Sequence, residues 1–220
     1  MPPLVNRQLL NGQLSRTLRR LKTHTVSASY PSESMGLGGL EERIEILSSD
    51  ELRRTLMRLA SQVLESVGTV DELVLLGIPT RGVELASVLA RSLEEQAGRS
   101  VARGTLDPTF HRDDLERVAM RPVKGTDLPV SVEGRDVVLV DDVIFTGRTV
   151  RAALEAIQAW GRARRVLLLV MVDRGHRELP IQPDFCGRTV PTRRSETIEL
   201  RLLDVDGEEG VFLRRTQDAT

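Results

Sequence analysis

The stretch VVLVDDVIFTGRTVRAALEAI, Val137 to Ile157, decides the reading of the fold. An apolar run ends in two adjacent carboxylates, Asp141 and Asp142, and a short Thr/Gly/Arg turn then leads into a segment of helical period. The same order of apolar run, Gly-bearing turn and helix occurs earlier in ELVLLGIPTRGVELASVLARSL, Glu72 to Leu93. A third apolar run, RRVLLLVMVDRGHRELP from Arg164 to Pro180, ends in a charged loop. Apolar runs alternating with helices imply an α/β fold: an open, mostly parallel twisted sheet flanked by helices. In such sheets ligands bind beyond the carboxyl ends of the strands, where Asp141 and Asp142 stand.

The flanking segments fill in this frame. SSDELRRTLMRLASQVLESVG sets Leu52, Leu56, Leu59, Val63 and Leu64 on one stripe, behind a Ser/Asp cap and ahead of a stop at Gly68. Gly161 is the expected C-cap of the helix after the acidic pair. Thr105 to Val130 is polar and broken by Pro108, Pro122, Gly125 and Pro129, too long for an ordinary connection, so it is either a functional lid, over residues 105–126, or a disordered segment. ETIELRLLDVDGEEGVFLRR alternates and turns at Asp206-Gly207, a closing β-hairpin. Residues 1–40 differ from the rest. Arg7, Arg16, Arg19, Arg20 and Lys22 face only Glu33 in charge, and SASYPSESMGLGGL is rich in Ser and Gly, which predicts a mobile basic tail or an over-long translation start with Met35 as the first residue. Residues 41–220 form the one expected domain.

Composition narrows the function. With 220 residues, 40% of them hydrophobic, the chain can bury one good core. A net charge of -1 from 31 basic and 32 acidic residues argues against a protein that coats nucleic acid or membrane surfaces, while leaving room for one basic face. Cys186 is the only cysteine, which excludes a disulfide framework and suits a cytoplasmic protein; no CxxC or HExxH spacing offers zinc ligands. No run approaches the roughly 18 apolar residues of a membrane span.

The acidic pair and its turn carry a specific chemistry. Two carboxylates can accept from adjacent hydroxyls, as in a ribose 2′,3′-diol. Thr146 and Thr149 hydroxyls, a Gly147 that permits close approach, and the free N–H groups of a helix N-terminus make a cradle for a phosphate. Diol and cradle together describe a ribose 5-phosphate site. A nucleoside-triphosphate hydrolase would carry G-x-x-x-x-G-K-[ST], which is absent, and GLGGLEE follows no strand, so it is no dinucleotide fingerprint.

Val138 to Thr149 resembles the 5-phosphoribosyl 1-diphosphate (PRPP) motif of type I phosphoribosyltransferases. GIPTRG (Gly77 to Gly82), RDDL (Arg112 to Leu115), VDRGHRELPI (Val172 to Ile181) and GRTVPTRRSE resemble the PyrR family, over about Ile46 to Arg214. That resemblance implies a uracil phosphoribosyltransferase, forming UMP and diphosphate from uracil and PRPP, that also attenuates transcription of pyrimidine genes by binding their mRNA leader under control of UMP or UTP. It implies a homo-oligomer, dimer or tetramer. It implies Mg²⁺ held mainly by PRPP and no direct metal ligand in the chain.

The resemblance also assigns roles. Asp141 and Asp142 would hold the ribose hydroxyls, and Val143, Ile144, Phe145, Thr146, Gly147, Arg148 and Thr149 would complete the PRPP or UMP loop. Thr80, Arg81 and Gly82 would form the diphosphate loop. Arg112 would meet diphosphate charge when the lid closes. Residues 173–190, with Asp173, Arg174 and His176 among them, would form a hood over uracil that reads the base with backbone groups plus Arg174. Arg58, His176, Arg177 and Arg188 would lie on an RNA-binding face. The chain departs from the family pattern at Asp107-Pro108-Thr109-Phe110-His111, where Ile-Thr-Leu-Tyr is usual, and at Phe145, where Tyr is common. Met57, Ser61, Ser66 and Gln182 replace hydrogen-bonding or basic residues of the RNA face, which lowers the expected affinity. Two alternatives stay open: a nucleotide-sensing RNA-binding regulator with little catalytic activity, and a purine phosphoribosyltransferase, which the hood motif disfavours.

Overall fold

A computed structural model describes residues 41–79, 81–113 and 125–216. The expected tail (1–40), Thr80 and residues 114–124, half of the expected lid with Asp114 in it, lie outside these residues. Strands β2 (Leu73–Gly77), β3 (Ala102–Thr105), β4 (Asp136–Ile144), β5 (Arg165–Asp173) and β6 (Phe185–Thr189) form a parallel sheet in the order β3-β2-β4-β5-β6. Helices α1 (Ser49–Val67), α2 (Arg81–Ala97) and α3 (Arg148–Gln158) flank it. A second, antiparallel sheet has the order β1-β8-β7, from Glu41–Leu47, Gly210–Thr216 and Thr197–Arg201.

The central strands are apolar on both sides because both sides are covered. Leu73, Leu75, Val138, Val140, Leu169 and Met171 point into one core, shared with α1, α2 and the small sheet's Leu200 and Val211. Their alternates Val74, Leu76, Val137, Leu139, Leu168 and Val170 point into the other, under Val150, Ala153 and Ile157 of α3. Each large aliphatic side chain so buried contributes roughly 1.5–3 kcal/mol. Helix α1 begins as its sequence dictates: Ser48 and Glu51 form a capping box, and Gly68 closes the helix at φ 74° with its N–H donating to the Leu64 carbonyl.

Three expectations are corrected. Within the segment 173–190 expected as a hood, Phe185–Thr189 is instead an edge strand of the main sheet, pairing with β5 from Leu169↔Phe185 to Asp173↔Thr189. Helix α3 ends at Gln158 with Ala159 as its cap, short of Gly161. The C-terminal hairpin exists, but a helical turn, α4 (Leu203–Asp206), sits in its connection, and β1 joins it as a third strand through Glu41↔Thr216 to Leu47↔Val211.

Candidate active site

The acidic pair lies within the last part of β4, since parallel pairing to β5 continues past it through Val143↔Val172 and Ile144↔Asp173. Asp141 is buried and Asp142 half-buried. The Asp142 N–H donates to Asp141 Oδ1 (3.0 Å) and the Val143 N–H to Asp142 Oδ1 (2.9 Å), so each carboxylate is oriented by the amide that follows it.

Beyond β4 the chain turns sharply through Gly147, at φ 91°, into α3. Left-handed backbone favours glycine there. The first-turn N–H groups of α3 have no intrahelical acceptor, which makes the turn an anion site. The turn is held from outside: the Thr146 carbonyl accepts from the N–H groups of Glu178 (2.9 Å) and Leu179 (3.3 Å). The Arg177 guanidinium donates to the carbonyls of Phe145 (2.8 Å) and Ile181 (2.9 Å) and pairs with Asp173 at 2.6 Å.

A cleft of about 300 Å³ opens over this turn, lined by Arg112, Asp141, residues 143–150 and Glu178. Arg112 Nη1 donates to Thr149 Oγ1 at 3.0 Å. Arg148 bridges the two sides of the cleft, donating to Asp113 (2.8 Å) and Glu178 (3.0 Å). Hydrogen bonds from Arg148 and then Arg194 hold the Glu178 carboxyl below the ordinary carboxylate range. Sequence reasoning passed over Glu178 and Asp113 as partners of Arg148. The signal was present, since Glu178 stands inside the hood motif, but the pairing spans 30 residues of chain.

The loop between β2 and α2 packs against Asp141. A Cβ on Gly82 would lie 2.2 Å from the Val140 carbonyl oxygen and 3.2 Å from the Asp141 Cα; one on Gly77 would lie 2.4 Å from the Val83 Cα. Both glycines are demanded by close approach, where periodicity alone suggested ordinary turns. The Ile78 N–H donates to the Val140 carbonyl at 2.9 Å and fastens the loop to β4. The Arg81 guanidinium does not face the cleft; it turns to Asp206 on α4.

The hood side chains are largely committed inside the fold. Arg174 is buried, stacks over the Phe145 ring at 4.2 Å, and donates to Thr192 Oγ1 (3.0 Å) and to the carbonyls of Arg193 (2.9 Å) and Glu196. Its side chain is therefore engaged by the 192–196 loop, which leaves backbone groups to address a base. His176 sits at φ 63°, with Nε2 donating to the Thr192 carbonyl at 2.6 Å and its ring edge-on to Phe145. Of the four residues expected on an RNA face, His176 and Arg177 are held by these intramolecular bonds. Arg58 and Arg188 are exposed and adjacent, for Arg58 Nη2 donates to the Gly187 carbonyl at 2.6 Å. Ser61 bonds back to the Met57 carbonyl at 3.1 Å.

Among the described residues no group of three or more His, Cys, Asp or Glu converges as a metal site, and no helix is long and apolar enough to cross a membrane. Asp141 lines the cleft while Asp142, next to it on β4, does not, and carboxylates of this kind fit a hard divalent cation.

A family model described as "Phosphoribosyl transferase domain" matches residues 44–195. The chain is 52% identical over 170 residues to "Bifunctional protein PyrR" of Microcystis aeruginosa, covering 77% of this chain and 96% of that one. It is 54% identical over 173 residues to the protein of that name from Thermosynechococcus vestitus, covering 78% and 94%. With its namesake in Pelotomaculum thermopropionicum it shares 49% over 178 residues, covering 80% and 98%. Among solved structures, a hypoxanthine phosphoribosyltransferase from Staphylococcus aureus superimposes with TM-score 0.59 at 16% identity, over 77% of this chain and 90% of that one. An HGPRT-ase from Leishmania tarentolae in complex with GMP does so with TM-score 0.59 at 16% identity, over 79% and 97%. These two likenesses establish the fold.

Proposed function

The chain belongs to the phosphoribosyltransferase family, in its bifunctional PyrR branch, and on that premise we propose that it transfers the phosphoribosyl group of PRPP to uracil, giving UMP and diphosphate. The observation that carries this reading is the gathering of Asp141, the 145–149 turn and Arg112 around one cleft. In the reaction the bond from C1 of the ribose to the diphosphate oxygen breaks as the bond to uracil N1 forms, through a transition state with positive charge on the sugar, and the N1 proton passes to the departing diphosphate or to solvent. Asp141 and Asp142 accept from the 2′- and 3′-hydroxyls and favour that charge. The first-turn amides of α3, with the Thr146 and Thr149 hydroxyls, hold the 5′-phosphate. The Gly82 approach brings the start of α2, whose first-turn amides have no acceptor within the helix, beside Asp141 for the diphosphate. Backbone groups of residues 174–181 read the base. Mg²⁺ held mainly by PRPP would supply neutralisation of the leaving diphosphate, with Asp141 and Asp142 the carboxylates that could assist in holding it.

The second half of the reading is regulatory. UMP or UTP occupies the same cradle through its ribose and phosphate, and in that state the protein binds the leader of a pyrimidine-operon mRNA and attenuates transcription. Arg58 and Arg188 supply the phosphate contacts. The protein works in the cytoplasm as a homo-oligomer, dimer or tetramer.

The test is UMP formation from labelled uracil and PRPP with Mg²⁺, beside Asp141→Asn. Loss of roughly 100-fold or more in kcat/KM is expected for the variant, in the range of removing one transition-state contact. An Asp141→Asn protein with full activity would remove the carboxylate from the mechanism. A wild type that binds UMP or UTP but makes no UMP would be a regulator.

A further inference from the structure

We infer that Arg112 reads the 5′-phosphate of the ligand's ribose, in place of the diphosphate role its lid position suggests. The inference rests on the phosphoribosyl reading of the cleft and assigns within it a residue that sorts one phosphate from the other.

The guanidinium is already at the cradle. Arg112 Nη1 donates to Thr149 Oγ1 at 3.0 Å, and Thr149 is the second residue of α3, in the turn whose amides have no acceptor within the helix. A phosphate seated on those amides meets the Thr149 hydroxyl and the Arg112 fork together, and a guanidinium binds phosphate oxygens in pairs. The cleft lining contains Arg112 with Asp141, residues 143–150 and Glu178, and among the described residues of the β2–α2 connection neither Ile78, Pro79, Arg81 nor Gly82.

The stem that carries Arg112 is fixed to the same helix on both sides. Before it, a single 3-10 turn, Thr109–His111, is held by Arg151 Nη2 donating to the His111 carbonyl at 2.8 Å, with His111 Nδ1 3.5 Å from Glu155. After it, Asp113 pairs with Arg148 at 2.8 Å. The base of the lid is pinned as well. Buried Asp107 accepts from the N–H groups of Thr109 (3.0 Å) and Gly125 (3.3 Å), one on each arm. These contacts place Arg112 over the first turn of α3 irrespective of how the lid's outer part lies. Arg148, the other cation lining the cleft among the described residues, is bracketed by Asp113 and Glu178 and serves to hold the stem.

The experiment compares ligands that share one phosphate group but not the other. Affinities for UMP and for inorganic diphosphate with Mg²⁺ are measured calorimetrically on the full-length protein and on Arg112→Ala, Arg112→Lys and Thr149→Val, each checked for an unchanged thermal midpoint. Loss of a charged hydrogen bond predicts that Arg112→Ala weakens UMP roughly 10- to 100-fold while diphosphate changes less than about threefold. Thr149→Val, which removes the hydroxyl that Arg112 holds, shifts the same ratio in the same direction, and Arg112→Lys recovers only part of it. The readout is the UMP loss divided by the diphosphate loss: a ratio of roughly three or more supports the inference, and any smaller ratio overturns it. A wild type that binds neither ligand would fail differently, by removing the phosphoribosyl reading itself.

Discussion

Arg81 and Asp206 form a two-pronged ion pair, Nη1 to Oδ2 at 2.9 Å and Nη2 to Oδ1 at 2.7 Å, joining the first residue of α2 to the last of α4. Asp206 is nearly enclosed and also accepts from the Leu202 N–H (2.9 Å) and from Arg201 (3.2 Å). Burial pushes its carboxyl up, but the Leu202 amide and the Arg81 guanidinium outweigh that and hold it below the usual range. The C-terminal sheet therefore anchors the loop that packs on Asp141. Asp206→Asn is expected to raise the KM for PRPP several-fold with a smaller change in kcat, and to cost about 1–3 kcal/mol in stability. Steady-state kinetics with PRPP varied, beside a urea titration, separates the two effects; an unchanged KM would reduce the pair to scaffolding.

Gly82 offers a steric test of the same loop. Adding a methyl group at 2.2 Å from the Val140 carbonyl oxygen forces α2 away from β4. Gly82→Ala is expected to lose about 1–3 kcal/mol or more of stability and most of the UMP-forming activity. Thermal melting and the uracil assay check both, and a variant with wild-type values would show that the loop tolerates the shift.

At the opposite end of β4, Asp136 is buried beneath Arg164 and Arg165, each 2.8 Å from one of its oxygens. Their hydrogen bonds, Arg164 first, outweigh burial and hold the carboxyl far below its ordinary value. A depressed folded-state pKa stabilises the protein above the unfolded carboxyl's range of about 4, and that stability is lost as pH falls towards the folded value. The two arginines are about half exposed, so solvent screens the pair and about 1–3 kcal/mol is at stake. Urea midpoints at pH 7 and pH 3 are expected to differ more in the wild type than in Asp136→Asn. Equal differences in the two proteins would show that other carboxylates set the acid limit.

Arg188 stands exposed on edge strand β6, next to Arg58. Arg188→Ala is expected to lower RNA affinity and to reduce the slope of log K against log salt by about 1, with uracil turnover unchanged. A salt titration of leader-RNA binding reads both, and an unaltered slope would take Arg188 off the RNA face.

Much of this arrangement is legible in the chain because it is local. The capping box of Ser48 and Glu51, the alternation that covers β4 and β5 on both faces, and the Asp-Asp-to-Thr-Gly turn all declare themselves within a dozen residues. What escaped reading is non-local. EERIEIL alternates as a strand should, but its partner β8 begins more than 160 residues later, so nothing nearby announced a third strand. Arg81 and Arg174 carried motif roles for a ligand, yet their side chains pair with groups at 192–206 that no short window contains. The lower half of the hood was misread for a related reason: DFCGRTV is too short and too mixed to signal an edge strand until β5 is there to pair with it.

The seam between β1 and β8 has one more consequence. It sets Glu41 directly opposite Thr216, so the two ends of the described chain lie about 5 Å apart across a strand pair. A linker of a few residues can splice those ends, and the backbone can be reopened at the exposed Gly98–Ser100 turn between α2 and β3. Such a circular permutant would thread β3 first and α2 last while building the same cleft, which makes the site a property of which strands lie side by side and not of the order in which a ribosome delivers them.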